Sequence, residues 1–302
     1  MSEVKKLNLN GLLLIDKERG PSSAEIVRQV SRLVVKKVRV GHAGTLDPDA
    51  SGLLVLLLGP ATKLSDFVMS LSKIYEAVVR FGIETDTYDA TGKTLSEKDT
   101  SDLSSEKVES LLDEFRGTVR QVPPAFSAIK IQGKRSYEFA RRGEMKELPE
   151  RETVIYELKL LKFDSPEALF YVKCGKGMYL RTLAHDLGKR LGCGAHVKTL
   201  RRLAIGEFTP SVKVSDLTVE NIKDFLVSPS KIFDEKKCFK LNFNGAMNLR
   251  RGIPLRAIDF IVRPLEPVGE RTGVLDEEGN LIAVAVIGHG GSMLERKIVQ
   301  PL

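Results

Sequence analysis

The sequence predicts an α+β fold: a mixed, mainly antiparallel sheet with flanking helices, followed by a small all-β barrel. Three observations carry this reading. Apolar runs of strand length alternate with segments of helical period, but without the strict strand–helix–strand rhythm of a doubly wound sheet. Helical patterning stops around residues 228–236, at "SPSKIFDEK". Beyond that point only short apolar strands and turns remain, and "GVLDEEGNLIAVAVIG" has the pattern of a hairpin with "DEEGN" at its tip. A boundary at that point divides the chain into residues 1–233 and 234–302.

Each element follows from a local signal. "GLLLIDK" (11–17) is a buried strand that runs into the loop "ERGPSS". Ser22 or Ser23 caps a helix in which Ile26, Val30 and Leu33 recur at helical spacing. The polar turn "GHAGTLDPDASG" (41–52) precedes "LLVLLLG", whose lack of alternation marks a fully buried strand. "ATKLSDFVMSL" is a short helix, "KIYEAVVRFG" (73–82) a strand, and "SSEKVESLLDEF" (104–115) a capped helix. A protruding loop starts at the double proline of "VPPAFSAIKIQGKRSYEFARRGE", with a short helix of its own near Tyr137. "RETVIYELKLLKF" and "EALFYVKCG" pair as antiparallel strands across "DSPE". "GMYLRTLAHDLGKRLG" is an amphipathic helix closed by a glycine, and "HVKTLRRLAIGEFT" is a further strand.

Composition narrows the class. Hydrophobic content of 42% and charged content of 29% are those of a globular protein with a sizeable core. The longest apolar runs are far shorter than the roughly 20 residues that cross a bilayer, and the N-terminus lacks a secretory pattern. Cys174, Cys193 and Cys238 are scattered, with neither metal-ligand spacing nor a disulfide framework, so the expected compartment is the reducing cytoplasm. The net charge is +7, and it is segregated. Residues 84–114 carry 10 acidic and 3 basic side chains, whereas 28–39 carry 5 basic and no acidic ones. Residues 130–151 add 7 basic against 4 acidic, and "HVKTLRR" three more cations. Cations gathered into patches suit a polyanion.

The turn at 41–52 admits several readings on its residues alone. Asp47-Pro48 starts a turn through an Asx bond, and Asp47 with Asp49 has the spacing of a phosphate-transfer or metal-binding pair. Glycines at 41, 44 and 52 let the backbone pass close to something bulky.

"GHAGTLDPDASGLL" resembles the catalytic loop of the TruB family of pseudouridine synthases. Four further segments resemble that family in the same order: "GLLLIDKERGPSS", "SKIYEAVVRFGIETDTYDATG", "VPPAFSAIKIQGKRSYEFARRG", and "GKGMYLRTLAHDLG" followed by "HVKTLRRLAIGEF". Together they span roughly residues 10–210. The C-terminal segment is similar, in strand pattern and position, to an RNA-binding PUA domain. "DKERG" departs from the family in lacking a proline after the lysine, as do Ala43 and Ser51 where threonine is often found.

The resemblance implies a pseudouridine synthase fold and a cytoplasmic enzyme that isomerises uridine 55 in the T-loop of tRNA. It implies Asp47 as the catalytic carboxylate, Arg181 as its partner, and Tyr75 as the active-site tyrosine. Detaching uracil, turning it and rejoining it through C5 needs a covalent or eliminating group, and attack at C1′, attack at C6 and elimination at C2′ all remain open to a carboxylate. A guanidinium fork holds such a carboxylate in one orientation. Tyr75 would stack on the displaced base and help to remove the C5 proton. His42 would fill the gap left by the flipped nucleotide. Tyr179, Lys130 and Leu200 match pocket-lining positions, while Lys17 and Gly20 look like supports of the loop. Residues 124–151 resemble the family's thumb, in which Lys134, Arg135, Arg141 and Arg142 would meet phosphates; Arg202 is expected to join them. The implied partner is the T-arm stem-loop of tRNA, recognised by a monomer without metal, organic cofactor, membrane or obligatory protein partner. The alternatives are a guide-RNA-dependent rRNA pseudouridine synthase, which the long thumb argues against, and a tRNA-folding chaperone.

Overall fold

The computed structural model describes residues 9–299 apart from 36, 125, 127–129, 132–133, 136–138, 140–143, 145–147 and 265–266. The short helix expected near Tyr137 and the two thumb arginines Arg141 and Arg142 lie outside the described residues.

β1 (Gly11–Lys17) is buried at every residue but Asp16, as an apolar run without alternation requires. Ser22 caps α1 (Ser23–Leu33) with a full capping box: its hydroxyl accepts from the Glu25 amide, and the Glu25 carboxylate accepts from the Ser22 amide. β2 (Val40–His42) leads through the polar turn into β3 (Ala50–Leu58). A 3₁₀ segment (Gly59–Leu64) then runs into α2 (Ser65–Ser70) and β4 (Lys73–Phe81), which alternates buried and half-buried residues. β5 (Ile83–Thr85) and β6 (Thr94–Glu97) form a separate small hairpin. The single helix expected over 104–115 is two pieces, α3 (Ser105–Glu109) and a 3₁₀ turn (Leu112–Phe115). Val108 and Leu112 still enter one core, so the apolar pattern survives the break.

β7 (Gly117–Gln121) is followed by the short strands β8 (Lys130–Ile131) and β9 (Lys134–Arg135). The long hairpin of β10 (Arg151–Asp164) and β11 (Glu167–Cys174) matches the sequence expectation. α4 (Leu180–Arg190), β12 (Ala195–Ile205) and β13 (Leu226–Val227) complete the first part. Among the described residues the main sheet runs β13–β1–β3–β12–β4–β11–β10–β7, with β2 on β3. Every described pairing in it is antiparallel except β3 with β12, where Leu200, Arg201 and Arg202 lie beside Ala50, Ser51 and Gly52. That parallel contact brings the start of β3, and the turn before it, against the middle of β12. A glycine is required there: Gly52 has a φ of +96°, and a Cβ on it would stand 2.2 Å from the Arg202 carbonyl oxygen.

The C-terminal part is not all-β. Its described strands are β14 (Phe239–Leu241), β15 (Phe260–Val262), β16 (Arg271–Leu275), β17 (Leu281–Ile287) and β18 (Met293–Ile298). They form an open sheet ordered β15–β14–β16–β17–β18. α5 (Phe243–Arg250) packs Ala246 and Leu249 onto it beside Phe239 and Val274. The expected hairpin is present as β16 and β17. This part is joined to the first by an apolar cluster of Leu64, Cys238, Leu275, Leu281, Val284 and Val299, against which Phe67 and Phe233 pack. Two lysines lock the joint, Lys63 donating to the Ile298 carbonyl (3.1 Å) and Lys297 to that of Lys63 (3.2 Å).

Candidate active site

The turn that carries Asp47 is bonded from three sides. The Lys17 ammonium, at the buried end of β1, donates to the carbonyls of Glu18 (3.0 Å), Pro48 (3.0 Å) and Ala50 (2.7 Å). Burial pushes its pKa down to about 8, a shift that Asp47 and Asp49 oppose and Arg202 reinforces. The Ser23 hydroxyl, at the start of α1, donates to the Leu46 carbonyl (2.8 Å) and accepts from the Leu46 amide (2.9 Å). The Gly20 amide donates to the Pro48 carbonyl (2.9 Å). Lys17 and Gly20 thus hold the loop, as their positions suggested.

The third side is Arg202. It does not face outward as expected of an RNA contact: the residue is 2% exposed. Its Nε donates to the Leu53 carbonyl (2.7 Å), and its terminal nitrogens donate to the carbonyls of Thr45 (3.4 Å) and Gly44 (3.3 Å). Alternation along β12 explains the difference, because adjacent residues point to opposite faces. Arg201 takes the other face and forms a bidentate pair with Asp16 at 3.0 and 2.9 Å.

Above this floor, Arg181 Nη2 lies 3.1 Å from Asp47 Oδ2. The arginine side chain, in the first turn of α4, is 9% exposed, whereas that of Asp47 is 43% exposed. The other end of the fork, Nη1, is 3.4 Å from Asp89 Oδ2 and donates to the Thr87 carbonyl at 3.3 Å. Nη2 also donates to the Phe126 carbonyl at 3.0 Å, which ties the root of the 124–151 segment to the site. Asp89 escaped the sequence reading. Its Oδ1 accepts from the Thr87 hydroxyl (2.7 Å), the Thr91 hydroxyl (2.6 Å) and the Thr91 amide (3.0 Å), leaving Oδ2 toward Arg181. The signal was the polar run "DTYDATG", whose threonines flank the aspartate.

Tyr75 is buried in β4, in register with Arg202 of β12. Burial holds its phenol above the usual pKa, Cys174 and Asp47 add to the rise, and the nearby Arg202 guanidinium opposes it. Leu200 and Asp47 line one cleft, with Asp89, Ala90, Arg181 and the β12 residues Val197 to Thr199. His42 is half-buried in β2, paired in register with Leu56 of β3. Tyr179 precedes α4, where the Gln121 side chain accepts from its amide (3.1 Å) and donates to its carbonyl (3.3 Å). Lys130 and Arg135 are register partners, as are Ile131 and Lys134, in the β8–β9 hairpin. Asp49 belongs to a separate, exposed pair with Arg19 (3.4 Å). Among the described residues no cluster of three or more His, Cys, Asp or Glu is arranged to hold a metal ion, and no helix is long and apolar enough to cross a membrane.

The TruB family pseudouridylate synthase N-terminal domain matches residues 32–180, and the tRNA pseudouridylate synthase B C-terminal domain matches 181–267. A tRNA pseudouridine synthase B of Solibacter usitatus is 38% identical over 287 residues, covering 92% of this chain and 96% of that protein. The chain belongs to the TruB family of pseudouridylate synthases. Other TruB-family relatives carry the same name. That of Aquifex aeolicus is 43% identical over 81% of this chain and 86% of its own length, and that of Pseudomonas aeruginosa 36% identical over 99% of this chain and 100% of its own. Among solved structures, a chain of a Cbf5-Nop10-Gar1 complex superposes with a TM-score of 0.75 over 96% of this TruB-family chain and 85% of that chain, at 22% identity. That likeness is one of fold.

Proposed function

We propose that this pseudouridylate synthase acts on tRNA, converting uridine 55 of the T-loop to pseudouridine, with Asp47 as the covalent or eliminating catalyst. The observation that carries the reading is the pairing of a buried Arg181 with an accessible Asp47 at the mouth of a cleft. One carboxylate oxygen is fixed by the guanidinium, and the group as a whole still reaches solvent and substrate. Attack at C1′, attack at C6 and abstraction at C2′ all need that combination of fixed direction and access. The names of the curated relatives support tRNA as the substrate.

The remaining residues take parts around that act. The target uridine leaves the stack, His42 fills the space it vacates, and the base lies against Tyr75 and Leu200. The positive charge of Arg202 opposes the effect of burial on Tyr75 and would favour its phenolate, the form that can take the C5 proton and become the neutral phenol. Tyr179 and Lys130 line the entrance. Lys134, Arg135, Arg141 and Arg142 of the thumb meet phosphates, and the Phe126–Arg181 bond ties the root of that segment to the catalytic pair. Residues 1–233 form the catalytic domain and 234–302 a PUA-like RNA-binding domain. On this reading the enzyme is a cytoplasmic monomer that works without metal, organic cofactor or obligatory protein partner.

The test is release of tritium from 5-tritiated uridine in a T-arm stem-loop by the purified chain alone. Release that required added guide RNA or partner proteins would refute the stand-alone reading. Asp47→Asn is expected to abolish release and leave RNA binding intact; persistent release would refute the role of Asp47.

A further inference from the structure

The segment that supplies two of Arg181's partners is held in an unusual way. Tyr88 has a φ of +61°, the one non-glycine residue with positive φ among those described. It sits between Thr87, whose carbonyl accepts from Arg181 Nη1 at 3.3 Å, and Asp89, whose Oδ2 stands 3.4 Å from the same nitrogen. A left-handed backbone at a bulky residue persists only where its surroundings over-determine it, and such outliers gather at functional sites.

Here the surroundings are specific. The Tyr88 ring stacks on the His185 imidazole, with centroids 4.0 Å and planes 17° apart. His185 lies on α4 one helical turn beyond Arg181 and on the same side. Its Nδ1 is 3.4 Å from Glu84 Oε1, so the imidazole is flanked by the strand that leads into the segment. The backbone is stitched to β12 as well: the Val197 amide donates to the Tyr88 carbonyl (3.0 Å), and the Ala90 amide to that of Val197 (3.0 Å). The segment therefore meets α4 at two points one turn apart, a charged one at Arg181 and an aromatic one at His185.

We infer that the Tyr88–His185 stack is a positioning clamp for catalysis: it fixes residues 87–89 against α4, and thereby sets the direction of the Arg181 guanidinium and of Asp47. Neither ring touches the reacting atoms. The clamp rests on the reading of Asp47 as the catalytic group. A stack that served only to stiffen a surface turn would affect stability and nothing else.

Tyr88→Gly separates these roles, because glycine adopts the left-handed backbone freely and removes only the ring. The chain is expected to fold and to bind a T-arm stem-loop with unchanged Kd, while the single-turnover rate of tritium release falls about 10- to 100-fold, the scale of a small misplacement of reacting groups. His185→Ala removes the other half of the stack without touching the segment and should give the same fall; Tyr88→Phe keeps the ring and should recover most of the rate. A wild-type rate in Tyr88→Gly or in His185→Ala overturns the clamp, as does a loss confined to Kd. Should Tyr88→Gly fail to fold, His185→Ala decides alone. Asp47→Asn is run in parallel. Tritium release by that variant sinks the reading of Asp47, whereas a silent Asp47→Asn beside a fully active Tyr88→Gly sinks the clamp alone.

Discussion

Arg181 and Asp47 meet at 3.1 Å across a steep gradient of exposure, with the arginine side chain at 9% and the aspartate at 43%. The cation is the anchored member. Four acceptors converge on its fork: the carboxylates of Asp47 and Asp89 and the carbonyls of Thr87 and Phe126. Asp47 can engage substrate without the arginine giving up the other three.

Arg181→Lys keeps the charge and loses the fork. A single ammonium cannot span both carboxylates and both carbonyls, so Asp47 loses its fixed direction. The turnover of tritium release is expected to drop by about 10²-fold, with KM for the stem-loop changed by no more than about twofold. A rise in KM at constant kcat would mean that Arg181 binds RNA instead.

Asp89→Asn should divide charge from shape. The amide oxygen can still accept from Thr87 and Thr91, so the segment keeps its form, but the second negative partner of Arg181 is gone. We expect a fall of about tenfold in kcat and little change in Tm. Asp89→Ala, which takes this acceptor from the Thr87 hydroxyl and from the buried Arg181, should also lose about 1–3 kcal/mol in thermal unfolding.

Lys17 predicts a pH dependence of stability. Burial brings its pKa from the ordinary 10.5 to about 8. Between those values the unfolded chain holds a proton that the folded chain has released, so stability from this group rises with pH. The cost of burying the charge is present in full below pH about 8 and is relieved as pH climbs toward 10.5. Lys73, lowered to about 8 by burial as well, acts in the same direction and is common to wild type and variant. In urea unfolding, the stability difference between wild type and Lys17→Met should therefore widen in favour of wild type above pH about 8. A difference that stays flat or narrows contradicts the assignment.

Arg202 gives a test of place. A phosphate contact removed by Arg202→Met would lower the slope of log K against log salt by about one. Because the guanidinium is spent on the carbonyls of Leu53, Thr45 and Gly44, the slope should stay put while stability falls by about 1–3 kcal/mol.

Much of this was legible in the chain. β1 spans the "GLLLIDK" read as a strand, and the β10–β11 hairpin follows from alternation around "DSPE". The resemblance to the TruB family singled out Asp47, Arg181 and Tyr75, and the structure gathers them. What was not legible depended on partners far away in sequence. "LRR" offers two neighbouring cations, and only the parallel contact with β3 decides that Arg202 turns inward and Arg201 outward. Asp89 lies in an acidic stretch that reads as solvated until α4 is laid beside it. α5 is short and holds a glycine and two asparagines, all weak helix formers, so the burial of Ala246 and Leu249 had to override local preference.

The β3–β12 contact also sets an order in time. Arg202 and the Leu53 carbonyl it supports are 149 residues apart in the chain, and Arg181 and the Thr87 carbonyl are 94 apart. A ribosome makes the loop of Asp47 and its Lys17 and Ser23 supports early and the Arg202 support late, so the loop is only partly held until most of the first sheet has been synthesised. Chains that stop before α4 would carry Asp47 without the guanidinium that orients it.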